Sequence, residues 1–337
     1  MDLRCVLSNG ALRDAAAPTL LYPTGGEMEE ELVMQAGHEL RDYPADPRPA
    51  TVHGGRRAVG RVAPATGSRP LVSIVTVVRN RARTLPRAID SVLGQEYPAL
   101  EYVVVDGCST DGTVDVIRRY EHRIDVWISE ADRGISDAFN KGVALARGQI
   151  IGLLNSDDWY EAGALAAAVR ALETGRCDIV HGQLQYWEGQ RKTYLVSGDA
   201  ALLDRGMTVG HPTVFVHRRC YERFGLFRTD FTQAMDYEWL LRAKVGGARF
   251  CFVAQCLANM HSGGLGDRRW RHSQREVARA RAIHLPSARG VIPYYSYFYT
   301  AVAKGTIRRT LDRLNLGAAR RWYHRRLSRI TITESKD

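Results

Sequence analysis

Five short runs of β-branched and aliphatic residues recur through the middle of the chain, and their spacing constrains the fold more than any other feature. They are LVSIVTVV (71–78), EYVVVDG (101–107), IDVWISE (124–130), GQIIGLL (148–154) and CDIVHGQ (177–183), roughly 25 to 30 residues apart. Between them lie segments of helical periodicity. These are TLPRAIDSVLGQ, with Thr84 as its N-cap; TVDVIRRY; SDAFNKGVALARG, ending on a C-cap glycine; and EAGALAAAVRALETG, ending likewise. Strand and helix alternating at this spacing predict βαβ units, hence a mostly parallel sheet with helices on both faces. Ligands of such sheets sit beyond the carboxyl ends of the strands, so every loop that follows a strand is a candidate site.

Those loops share a polar character: RNRART after the first run, DGCSTDGT after the second, EADRG after the third and NSDDW after the fourth. Capping alone favours Asp, Ser, Thr and Gly at strand-to-helix turns, which accounts for any one loop more easily than for all four. The doubled carboxylates Asp157 and Asp158 directly behind an aliphatic strand are the sharpest case, because like charges repel and burial is costly. Either the pair forms a solvated turn that caps the next helix, or it holds a cation. Consecutive residues leaving a strand point in different directions, so one carboxylate can bind Mg²⁺ or Mn²⁺ while the other meets a ribose or sugar hydroxyl. The loop after the first strand contains neither G-x-G-x-x-G nor G-x-x-x-x-G-K-[ST], which disfavours dinucleotide-binding dehydrogenases and P-loop kinases.

With 337 residues, 45% of them hydrophobic, the chain can bury a large core without staples. Its six cysteines form no C-x-x-C pair, so neither a zinc site nor a disulfide framework is indicated, and reduced thiols in the cytoplasm are expected. The sequence shows no signal-peptide pattern and no apolar stretch long enough to span a membrane. The net charge of +10 is uneven: residues 268–337 carry 17 Lys and Arg against 4 Asp and Glu. Three segments are therefore expected: a weakly ordered leader (1–69) with one short helix near Met28–His38, a catalytic domain (70–266), and a basic, aromatic, helical C-terminal segment (267–337).

From Leu71 to about Gly264 the chain resembles the family 2 glycosyltransferases of the GT-A fold. The resemblance rests on VSIVTVVRN, EYVVVDGCSTDGT, DRGISDAFNKGVALARGQIIGLLNSDDWY, GHPTVFVHRRCYERFGLF and AMDYEWLLR, in this order and spacing. It implies a hexosyltransferase-type enzyme that transfers a sugar, with inversion, from a nucleotide-diphosphate donor to a hydroxyl acceptor. That acceptor is expected to be lipid-linked or a cell-envelope polysaccharide precursor, and the cofactor Mn²⁺ or Mg²⁺. The residues implied for the donor are Thr76, Val78 and Asn80 on the first strand and its loop, and Asp106, which ends the second strand, with Ser109 behind it. Asp132, Arg133, Asn140, Lys141, Asp157 and His211 complete that set. Asp158 and His261 are implied for the metal and diphosphate, and Asp236 for the catalytic base.

Plainer readings stand beside these. Asp236 can cap the helix YEWLLRAKVGG, Glu238 and Arg242 read as an i,i+4 surface pair, Met235 and Trp239 as core, and Asp111 as a cap of the helix after Gly112. A non-catalytic nucleotide-sugar-binding relative would keep the fold but lose the base or metal carboxylate, and both are present. The tail interleaves Arg with aromatics, a composition suited to anionic lipid or nucleic acid. Beside this domain the expectation is an anionic membrane at its cytoplasmic face, with a helix packed on the domain as the simpler alternative. A nucleic-acid module would leave the polar sheet edge unexplained.

Overall fold

The computed structural model describes residues 39–45, 51–61, 69–262, 269–288, 291–313 and 331–334. In chain order the elements are β1 (Val52–Gly54), β2 (Val72–Val78), α1 (Leu85–Leu93), β3 (Leu100–Asp106), α2 (Thr113–Tyr120), β4 (Val126–Ser129), α3 (Ile135–Leu145) and β5 (Ile150–Asn155). Then follow β6 (Trp159–Tyr160), α4 (Ala164–Thr174), β7 (Ile179–Glu188), β8 (Arg191–Ser197), β9 (Phe215–His217), α5 (Arg218–Phe224) and α6 (Met235–Val245). The last are β10 (Phe250–His261), α7 (Trp270–His284), α8 (Val291–Arg313) and β11 (Thr331–Glu334).

All strands join one sheet in the order β1-β4-β3-β2-β5-β9-β7-β10-β6, with β8 on β7 and β11 on β8. The block β4-β3-β2-β5 is parallel throughout, as the βαβ spacing predicts. β9 then runs antiparallel to β5 and β7, and β10 returns parallel to β7. Side chains of β2 alternate between two cores: Val75 and Val77 face α3 and α6, while Ile74 and Val78 face α1, α2 and α4. Helices thus cover both faces, and each fully buried aliphatic side chain contributes roughly 1.5–3 kcal/mol. Gly142 lets α3 lie flush on β2, because a Cβ there would run into Val75. α3 ends at Ala146 rather than at the glycine expected to cap it.

Two expectations shift. The described part of the supposed leader belongs to the fold: β1 extends the sheet edge antiparallel to β4, and the Arg56 guanidinium holds Asp125 Oδ1 at 2.5 and 3.1 Å. The helix expected near Met28–His38 lies outside the described residues. At the other end, α7 is part of the domain core, burying Val277, Ala278 and Ala280. Its Glu276 accepts hydrogen bonds from the N–H groups of Thr232 (2.8 Å), Gln233 (2.7 Å) and Ala234 (2.8 Å), which lead into α6. A carboxylate from the basic tail therefore satisfies the start of α6, where the helix leaves its first donors unpaired.

Candidate active site

The loops after β2, β3 and β4 are laced together. Asn80 adopts a left-handed backbone (φ 53°), its N–H donates to Ser109 Oγ (2.8 Å), and its Oδ1 accepts from Thr110 N (2.8 Å). Asp106 is fully buried and accepts from Ser109 N (3.0 Å), Ser129 Oγ (2.6 Å) and the Ser109 hydroxyl. It organises the loop from beneath, where contact with a nucleotide base was expected. Asp132 accepts from Gly134 N (2.9 Å), and its carboxylate lies over Gly107, where any Cβ would collide with it. Asp111 caps as expected, accepting from Thr113 N and, across the loop, from Ala82 N, both at 3.1 Å. Of the residues expected on β2, Thr76 and Val78 are buried in the sheet, with Thr76 Oγ1 taken by Tyr102 OH (3.1 Å). Asn80 alone of the three is exposed at the edge.

The charges of α3 are also spoken for. Asn140 clamps the backbone of Phe227, donating to its carbonyl (2.8 Å) and accepting from its N–H (2.9 Å), with no exposed surface. Lys141 Nζ reaches Ala131 O (2.8 Å), Glu130 (2.8 Å) and Asp137 (3.4 Å). Both residues secure the β4–α3 connection, whereas the resemblance implied donor contacts. Arg133 is exposed but pairs with Asp137 Oδ1 at 3.0 Å.

Beyond β5 the doubled carboxylates divide. Asp157 is half-buried, while Asp158 is 3% exposed and receives one hydrogen bond, from Asn155 Nδ2 (3.1 Å). Burial first, and the neighbouring charge of Asp157 second, hold the Asp158 carboxyl well above the ordinary carboxylate range. A buried carboxylate so poorly compensated is a fit site for a cation. No group of three or more His, Cys, Asp or Glu side chains gathers around one point among the described residues. Two carboxylates suffice for Mg²⁺ or Mn²⁺ only where a ligand's phosphate oxygens and water complete the shell. His261, expected beside them, instead packs against Trp159, ring centroids 5.1 Å apart. The Arg87 guanidinium lies over the same indole, 3.1 Å from its centroid, and 3.5 Å from His261 Nε2. Thr84 occupies the N-cap position of α1, but its hydroxyl oxygen is buried without a partner.

The third part of the site is the start of α6. Asp236, half-buried in its first turn, accepts from Tyr237 N (2.7 Å). Burial raises its carboxyl above the usual range, and the facing His211 and the Tyr237 N–H offset this in part. His211 in turn is held below its ordinary value by burial, its Nε2 has no partner, and its ring packs on Phe139 at 5.5 Å. His211 and Asp236 share a cavity of about 20 Å³, otherwise lined by apolar side chains including Leu153 and Trp239. Leu153, which lines this cavity, belongs to β5, the strand that leads into Asp157 and Asp158. Two residues on, Glu238 is no surface residue: it is 0% exposed and bound by Arg242 (3.0 and 3.1 Å) and His284 (2.7 Å). Arg87 and Glu276 were not singled out in the sequence; apolar periodicity marks Arg87 only as lying off the buried stripe Leu85, Ala88, Ile89 and Val92.

Comparison with known proteins bears on this architecture. The family model "Glycosyl transferase family 2" matches residues 73–234. A PGL/p-HBAD biosynthesis glycosyltransferase of Mycobacterium bovis BCG is 30% identical over 181 residues, 51% of this chain and 69% of that protein. The chain belongs to glycosyltransferase family 2. This glycosyltransferase is also 35% identical over 115 residues to a Bacillus subtilis glycosyltransferase assigned provisionally to teichuronic acid biosynthesis, covering 33% of the chain and 46% of that relative. Its chain thus spans less than half of one cell-envelope relative and about two thirds of the other. Its fold matches a Pyrobaculum calidifontis mannosyltransferase solved with GDP-Man and Mn²⁺ (TM-score 0.53, 21% identity, 74% of each chain). It also matches S. aureus TarS solved with UDP-GlcNAc (TM-score 0.51, 16% identity, 62% of this chain and 66% of that one). The enzyme is a glycosyltransferase of GT-A type.

Proposed function

We propose that this family 2 enzyme transfers a hexosyl unit, with inversion, from a nucleotide-diphosphate sugar to a hydroxyl of a cell-envelope precursor. The observation that carries the reading is a pair of under-compensated carboxylates, the buried Asp158 behind β5 and the half-buried Asp236 in the first turn of α6. A carboxyl raised toward neutral pH by burial is a better proton acceptor than an ordinary one, which suits Asp236 to remove the acceptor's hydroxyl proton. His211 lines the same cavity, and burial holds its imidazole below the ordinary value, so the Asp236 carboxyl keeps little compensation. Asp158, with Asp157, would hold Mg²⁺ or Mn²⁺, which when bound supplies positive charge to a diphosphate. The interlocked loops of Asn80, Ser109 and Asp132 form the preorganised edge for nucleotide and ribose. The structures solved with UDP-GlcNAc and with GDP-Man and Mn²⁺ support the donor class. A screen of UDP-, GDP- and dTDP-sugars for release of nucleoside diphosphate, with and without Mn²⁺, tests this; no release from any donor in either condition would contradict it.

One further observation favours an anionic membrane surface as partner. Ile292 (82% exposed), Tyr295, Tyr299 and Ile307 are exposed on α8, and their spacing puts them on one side of the helix. The opposite side packs on α7, with Arg281 over the Tyr297 ring at 4.1 Å. No helix among the described residues is long and apolar enough to cross a membrane. An exposed apolar stripe on a strongly basic segment suits binding in the plane of an anionic surface, at the cytoplasmic face. The protein should float with phosphatidylglycerol vesicles at low salt, and Ile292→Ser with Tyr299→Ser should reduce the floated fraction several-fold; no flotation of the wild type would remove this partner.

A further inference from the structure

Arg87 stands apart from the other cations of the site. Arg133 and Lys141 are each neutralised by carboxylates of the β4–α3 connection. Arg87 has no carboxylate within ion-pair distance among the described residues; Glu161 acts on it only at longer range, and one Glu161 oxygen is occupied by Asn259 Nδ2 (3.0 Å). The guanidinium is nonetheless held in place. It lies 3.1 Å from the centroid of the Trp159 ring and 5.6 Å from that of Trp187. Trp187 is itself fixed by Nε1 donating to Asn259 Oδ1 (2.7 Å).

The platform beneath Arg87 is rigid because three elements meet there. Tyr160 N donates to Ser91 Oγ of α1 (3.1 Å), which ties β6 to the helix that carries Arg87. β6 pairs with β10, with Trp159 opposite Asn259, and β10 ends at His261. Trp159 directly follows Asp158, so the stack is anchored one residue from the carboxylate pair. A guanidinium laid flat on an indole loses little further freedom on binding, and its edge offers paired N–H donors matched to phosphate oxygens. Partial burial works against the charge of Arg87, a penalty that a bound anion would relieve.

We propose that Arg87, seated on Trp159 and facing His261, binds the diphosphate of the donor and meets the charge that appears there as the sugar leaves; this rests on the glycosyl-transfer reading above. In that reaction the bond between the anomeric carbon and the diphosphate oxygen breaks, and its electron pair stays on the diphosphate. The acceptor oxygen forms the new bond to the same carbon, and its proton passes to Asp236. Negative charge therefore gathers on the diphosphate at the moment of transfer, and a fixed, unneutralised guanidinium stabilises it.

The test is calorimetric binding of UDP, GDP, dTDP and inorganic pyrophosphate, each with Mg²⁺, to the wild type, Arg87→Gln and Arg87→Lys. Nucleoside monophosphates serve as the reference, and the near-UV dichroism of the tryptophans reports the fold. Arg87→Gln should weaken the diphosphate that binds and pyrophosphate by about 10-fold or more. Monophosphate affinity should stay within about twofold, and Arg87→Lys should recover only part of the loss, because the planar fork is gone. Equal diphosphate affinity in Arg87→Gln and wild type overturns the proposal. Weakened pyrophosphate with unchanged nucleoside diphosphate also overturns it, in favour of a phosphate carried by the acceptor. If the wild type binds no nucleoside diphosphate but Arg87→Gln still loses pyrophosphate, the donor reading fails while the anion site stands.

Discussion

Asp236 and Glu238 sit two residues apart on α6, the first half-buried and the second fully buried, and their surroundings treat them in opposite ways. Around Glu238 the protein has built compensation: burial pushes its carboxyl up, but His284 and Arg242 outweigh this and hold it below the ordinary range. Around Asp236 there is one backbone N–H, a histidine that burial keeps from charging, and a small apolar cavity. The same contrast separates Asp178, which Arg219 and Arg249 hold far below the ordinary range against the effect of burial, from Asp158. Glu238 and Asp178, which hold the fold together, are surrounded by donors, whereas Asp158 and Asp236 are left short of them. A fold tolerates such deficits where a ligand or a reaction supplies what is missing.

The largest effect should come from breaking the compensated side. Glu238→Ala strands Arg242 and His284 inside the domain and should lower stability by about 3–5 kcal/mol, measured by urea denaturation. The uncompensated side should behave in reverse. Asp158→Asn removes a buried charge that little opposes, so the metal-free variant should melt above the wild type at neutral pH, and Mn²⁺ should no longer raise its melting temperature. A smaller effect follows from the directions of the shifts. A carboxyl raised in the fold contributes stability fully present below its unfolded value, 3.8 for Asp, and lost as pH rises through the folded value. Carboxyls that are lowered, Glu238 and Asp178 among them, contribute stability that is lost as pH falls below their unfolded values of 4.5 and 3.8. The metal-free wild type should therefore gain stability from neutral to mildly acidic pH and lose it below about pH 4, and Asp158→Asn should flatten the gain.

Much of the fold was legible because it depends on local pattern. Continuous β-branched and aliphatic runs and helical stripes located β2 to β5, β7 and α1 to α4, and their alternation dictated the parallel block. The doubled Asp157 and Asp158 stood out because adjacent charges behind a buried strand need a reason. What pattern could not show was the destination of each polar group. Asn140 was implied for the donor and Glu238 read as half of a surface pair, because their partners, Phe227, Tyr43 and His284, come from distant segments. Arg87 stayed hidden for the same reason, since its indole partner lies on β6. Glu276 sat in a tail whose charge suggested only a partner outside the protein, yet it orders the loop that leads to Asp236.

In the proposed reaction Asp236 lacks compensation so that it can take a proton. Steady-state turnover of Asp236→Asn, measured with the donor that the wild type accepts, tests this most directly when paired with donor affinity and melting temperature. Turnover should fall by roughly 10²-fold or more, while donor affinity is kept and the melting temperature is unchanged or higher. Turnover equal to that of the wild type would contradict that role, and a large loss of stability would place Asp236 with Glu238 among the carboxylates that hold the fold.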